Sequence, residues 1–109
     1  MTHEAFQSCI SACDACAIAC GHCAGDCLAE EGVADMTGCI KLDIDCAAAC
    51  HFASAAMARG SSEARTICRM CADICEACAN ECAKHDAQHC KDCAAACRAC
   101  AQACRAMAS

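Results

Sequence analysis

Cys9, Cys13, Cys16, Cys20, Cys23 and Cys27 follow one another at intervals of 4, 3, 4, 3 and 4 residues. Cys68, Cys71, Cys75, Cys78 and Cys82 repeat the rhythm as 3, 4, 3, 4, and so do Cys90, Cys93, Cys97, Cys100 and Cys104. With Cys39, Cys46 and Cys50 they make 19 cysteines in 109 residues. Alternating steps of three and four put residues on the a/d seam of an amphipathic helix. Thiolates are soft donors that select Cu(I), zinc or iron–sulfur clusters. The chain sets metal-ligand chemistry where a helical bundle ordinarily sets leucine.

Packing alone does not account for this choice. Cysteine can serve as a small hydrophobe, but alanine, valine and leucine fill a core without its exposure to oxidation. Disulfides within a helix fit poorly, because residues three or four apart have Cβ atoms about 5 to 6 Å apart, whereas a disulfide wants about 3.5 to 4.5 Å. Two thiolates clamping one ion need sulfurs about 4 to 5 Å apart for a metal–sulfur bond of about 2.3 Å, which helical CxxC and CxxxC pairs supply. Each four-thiolate zinc site would carry a net charge of roughly −2, and the seams offer few cations to balance a stack of them. Cu(I) with bridging thiolates cancels every charge it meets. With each thiolate shared twice and two needed per ion, 19 cysteines set a ceiling of about 19 Cu(I) per chain. Iron–sulfur motifs place cysteines on loops, often before proline, and this chain has no proline. A metallothionein-like zinc or cadmium buffer is the competing reading. Such buffers rely on CxC pairs, and none occurs here.

The elements that must hold these residues are four helices with three short breaks. The first runs from Thr2, as N-cap, to Glu30, interrupted by Gly32; the second runs from Val33 or Asp35 to Arg59. Gly60-Ser61-Ser62 closes the second, and Ser61 or Ser62 caps a third that continues to about His85. Asp86 caps a fourth that ends near Met107. Short loops make successive helices antiparallel, so the expected fold is all-α, an up-down-up-down four-helix bundle with a cysteine-lined core. The whole chain, residues 1–109, makes one domain at this length.

The second seam departs from the rule, reading Met36, Cys39, Asp43, Cys46, Cys50, Ala53, Met57. A carboxylate there is costly unless paired, so Asp43 is either an oxygen ligand or hydrogen-bond partner near the metal, or it turns to the bundle edge. One end of the bundle gathers Phe6, Met57, Ala64 and Met107 as an apolar plug. The other gathers Cys27, Met36, Cys39, Cys82, His85, His89 and Cys90 as a mouth for metal. His85 continues the third seam three residues beyond Cys82. Imidazole and thioether suit transient metal ligation there, while His89 as a solvated turn residue and Met36 as core packing are the simpler alternatives. His3, His22 and His51 read as surface residues.

Leu, Ile, Val and Phe together number 11, about a tenth of the chain, and a core of small side chains buries little area per residue. The apo form is expected to be modestly stable, with folding coupled to metal binding. The net charge of −6 and the scattered lysines and arginines argue against a nucleic-acid partner. No secretory leader or apolar span of about 20 residues is evident, so the expectation is a cytosolic chain with reduced thiols and no membrane partner. Thiol–disulfide catalysis would need a reactive cysteine at a helix N-terminus in a βαβ setting, and these lie mid-helix; the chain does not read as an enzyme.

The chain resembles the cytosolic copper storage proteins. The likeness covers nearly its whole length and rests on Gly38-Cys39-Ile40-Lys41-Leu42-Asp43, on Cys71-Ala72-Asp73-Ile74-Cys75-Glu76-Ala77-Cys78, on Cys82-Ala83-Lys84-His85-Asp86 with His89-Cys90, and on Cys104-Arg105-Ala106-Met107. It implies storage of many Cu(I) ions in a reduced thiol core and assembly of bundles into a homotetramer.

Overall fold

Alanine-rich segments without proline propagate helix readily, and the computed structural model contains little else. It describes residues 3–109, with side chains from Phe6 onward; Thr2 and the His3 side chain lie outside them. The helices are α1 (His3–Leu28), α2 (Thr37–Ala58), α3 (Ala64–Cys82) and α4 (Gln88–Ala108), with a short 3-10 turn at Val33–Met36 before α2. Successive helices are antiparallel. α1 and α3 each pack against both α2 and α4, while the diagonal pairs make no close backbone approach. The result is a square bundle measuring 46 × 19 × 18 Å.

The helix ends depart from expectation where local bonds tighten the last turn. α1 stops at Leu28 rather than Glu30, because the N–H groups of Ala29 and Glu30 donate to the Asp26 and Cys27 carbonyls at 3.1 and 3.2 Å. Gly32, at φ 72°, then reverses the chain. α3 ends at Cys82 rather than near His85: the N–H groups of Lys84 and His85 take the carbonyls of Glu81 and Cys82, both at 3.1 Å. Asp86 does not cap α4. Ala87 precedes that helix in extended conformation, and its carbonyl accepts from the N–H groups of Cys90 and Lys91. Gly60 closes α2 as expected, at φ 66°, with Ser61 N–H on the Ala56 carbonyl and Gly60 N–H on that of Met57, the two bonds of a Schellman motif. Ser61 Oγ accepts from the Glu63 N–H at 3.1 Å, in the turn before α3 and not as its cap.

What lies inside is unusual. All nineteen cysteines are buried free thiols. Ile18, Leu28, Ile44 and Phe52 are exposed on outer faces, so large hydrophobes stand outside a core of sulfur and alanine. Phe6, Ile10, Met57 and Ile67 are buried instead, with Ala64, toward the end where α1 and α3 begin. Met107 is partly buried against the core; the sequence reading gathers Phe6, Met57, Ala64 and Met107 as a plug, and Ile10 and Ile67 are buried residues outside that reading.

Candidate metal centre

The a/d rhythm turns each cysteine seam to the bundle axis, and four seams meeting there make a continuous ladder of thiols. Toward the plug, Cys13 Sγ stands 3.6 Å from Cys104 and Cys100, with Cys9 3.7 Å from Cys104. In the middle, Cys46 lies 3.5 Å from Cys75 and 3.7 Å from Cys16, and Cys50 lies 3.7 to 3.8 Å from Cys71, Cys75 and Cys100. Toward the open end, Cys93 is 3.6 Å from Cys20 and Cys39 is 3.2 Å from Cys82.

The ladder includes tetrads whose four sulfurs lie within 4.8 Å of one another, among them Cys13/Cys71/Cys100/Cys104, Cys16/Cys46/Cys50/Cys75, Cys16/Cys20/Cys46/Cys97, Cys20/Cys78/Cys93/Cys97 and Cys23/Cys27/Cys39/Cys90. With bonds of about 2.3 Å, a three-coordinate ion wants sulfurs about 4.0 Å apart and a tetrahedral ion about 3.8 Å. The spacing accommodates either, so connectivity decides. Cys16, Cys20, Cys46 and Cys97 each belong to two of these tetrads, and a sulfur serving two sites must bridge. Among the described residues Asp43 is the sole buried polar or charged side chain, so no buried cation balances isolated anionic sites. Burial pushes the Cys90 thiol up to about 11 and lifts Cys23 and Cys39 well above the ordinary thiol range. These groups hold their protons until a metal displaces them.

Asp43 does not turn to the bundle edge. It is fully buried, and its Oδ1 accepts from the thiols of Cys78 and Cys93 at 3.3 Å and Cys82 at 3.5 Å, while Oδ2 accepts from Cys39 at 3.7 Å. Burial, reinforced by repulsion from Cys93, raises its carboxyl to about 8. The Asp43 carboxyl group links the sulfurs of the open end to those of the middle column.

At that open end the two histidines part company. His89 Nδ1 sits 3.5 Å from both Cys23 and Cys90 Sγ and 3.9 Å from Cys27, which places it over the Cys23/Cys27/Cys39/Cys90 tetrad. His85 falls just outside α3, so it leaves the seam, and its Nε2 pairs with Glu81 Oε2 at 3.2 Å. That pairing was legible as an i, i+4 acid and imidazole at the end of the third helix. Met36 packs half-buried against the core. His22 pairs with Asp26 on the surface, and His51 is exposed. His89 also meets Glu30 across the bundle, a contact between residues 59 apart that no local pattern announces. Among the described residues, no helix is long and apolar enough to cross a membrane.

Comparison with known proteins places these features. The family model described as copper storage protein matches residues 2–109. The Cu(I)-bound copper storage protein BsCsp3 of Bacillus subtilis is 49% identical, covering 95% of this chain and 98% of its own, with a TM-score of 0.92. A cytosolic copper storage protein from Streptomyces lividans, solved during copper loading with five coppers, is 43% identical over 97% of this chain and 93% of its own, with a TM-score of 0.93. An uncharacterized cysteine-rich protein of Bacillus subtilis is 50% identical over 67 residues, and the match spans 62% of either chain.

Proposed function

This chain belongs to the copper storage protein family, and we propose that it is a cytoplasmic reservoir that holds Cu(I) on its core thiolates, on the order of one ion per cysteine. The whole chain acts as one storage domain. Its ligands are the nineteen cysteines, with His89, and more peripherally His85 and Met36, serving ions in transit at the open end. Asp43 acts chiefly as the acceptor that orders Cys39, Cys78, Cys82 and Cys93. The observation that carries this reading is the sharing of Cys16, Cys20, Cys46 and Cys97 between tetrads, which suits bridged Cu(I) and disfavours separate zinc or cadmium sites.

Loading follows from the chemistry of the column. An ion arriving at the open end meets the His89 nitrogen and three thiols; each thiolate formed releases a proton, and each bridging ion cancels the charge so created. The filled core stays neutral and dry. The role read here is storage, in keeping with the family to which the chain belongs. Bundles assemble into a homotetramer, a reading supported by the family likeness and by the exposed Ile18, Ile44 and Phe52. X-ray absorption at the copper edge tests the site chemistry: the expected result is an all-sulfur shell with short copper–copper scattering. Copper confined to isolated sites, with no metal–metal shell, would overturn it.

A further inference from the structure

The turn that closes α1 carries an acid onto the outer edge of the histidine that faces the thiols. Glu30 Oε1 lies 2.9 Å from His89 Nε2, while the opposite ring nitrogen, Nδ1, points at Cys23 and Cys90 at 3.5 Å each and Cys27 at 3.9 Å. A neutral imidazole carries one N–H, and the nitrogen that binds a metal must be the other one. We propose that Glu30 is the positioning residue of the copper mouth: it accepts the His89 Nε2–H, fixing the tautomer whose unprotonated Nδ1 faces the Cys23/Cys27/Cys39/Cys90 tetrad.

The backbone places Glu30 for this task. Its N–H donates to the carbonyl of Cys27 at 3.2 Å, so the carboxylate is held to the helix turn that presents one of the tetrad's own sulfurs. α1 packs against α4, and the Glu30–His89 pair joins the end of the first to the start of the second. His89 is nearly enclosed, with 12% of its side chain accessible, against 42% for Glu30, so the ring has little freedom to find another acceptor. A carboxylate hydrogen-bonded behind a ligating imidazole also fixes the orientation of its ring. His85 and Glu81 make the same kind of pair at 3.2 Å, but within one chain turn. That ring's polar contact is spent on the acid, without a second nitrogen on the thiols, so an acid–imidazole pair alone does not make a mouth.

This inference rests on the reading of the open end as the entry for copper, and the test separates the two. Long-range 1H–15N spectra of the reduced apo protein report the His89 tautomer without any metal, and stopped-flow transfer from a chelated Cu(I) donor reports early loading. The expected result is an Nε2–H tautomer in the parent and in Glu30→Gln, which keeps an acceptor oxygen without the charge, and a mixed tautomer in Glu30→Ala. Early loading should slow about tenfold in Glu30→Ala, recover to within about threefold of the parent in Glu30→Gln, and show no further Glu30→Ala effect in a His89→Ala background. An unchanged tautomer in Glu30→Ala would overturn the positioning role. So would an equal slowing by Glu30→Ala with His89 absent, which would make Glu30 a general attractor of cations. Parent-like loading in His89→Ala would instead remove the mouth reading, and Glu30's part in it, even with the tautomer effect intact.

Discussion

Cys20 and Cys97 stand 3.7 Å apart in the middle of the column, and both belong to the same two tetrads. A thiol there does two things at once: it fills space as a small apolar group and it offers a soft donor to two neighbouring sites. Serine keeps the first property approximately and loses the second. Replacing both with serine should leave helicity by circular dichroism near the parent level and lower copper capacity by about two ions, counted anaerobically on the reduced protein; an unchanged capacity would mean that the inner thiols do not carry copper. At this scale the sequence was highly informative for sulfur, because the spacing alone puts every cysteine inward, and all nineteen are buried. Asp43 was legible as an anomaly on the seam but not as an outcome. Its burial among four thiols depends on where the facing helices put Cys78, Cys82 and Cys93, which one helix's pattern does not encode.

The helices themselves were legible because their apolar rhythm is long and uninterrupted, whereas their ends depend on a few hydrogen bonds. α3 shows the consequence. Its seam extended by pattern to His85, but the closing bonds to Glu81 and Cys82 tighten the chain out of α-helical register, and the imidazole swings to Glu81 instead of the axis. The α2 end was readable because Gly60 is the residue such an end requires. It holds φ 66°, a conformation that costs an L-residue roughly 1 kcal/mol or more. A Cβ added at Gly60 would meet no heavy atom within 4 Å, so strain in the backbone is the whole penalty. Gly60→Ala should therefore lower apo stability by about 1 kcal/mol in denaturant titration, with copper capacity unchanged. A change in capacity would show that the α2–α3 turn shapes the metal core as well as closing the helix.

Across the whole molecule, a core of sulfur and alanine inverts the usual division of labour. Burial of small side chains gives modest folding energy, and Ile18, Ile44 and Phe52 remain on the outer faces, available to contacts between bundles rather than within one. Metal binding is then expected to add rigidity that the packing of small side chains does not. The square, antiparallel architecture followed from four seams and short loops. The pairing of Glu30 with His89 did not, because it joins residues 59 apart that only the packed bundle brings together. Shared tetrads along one axis and the absence of a buried cation among the described residues point to one property of the whole, a capacity that scales with thiols and not with separate four-sulfur sites. An anaerobic Cu(I) titration of the fully reduced protein against a competing chelator, with copper and thiol counted on the same sample, measures that property directly. The account predicts an end point near one copper per cysteine, about 19 per chain, reached by a protein already helical before copper is added. An end point of only a few ions, or displacement of copper by zinc at about one ion per four thiols, would contradict it.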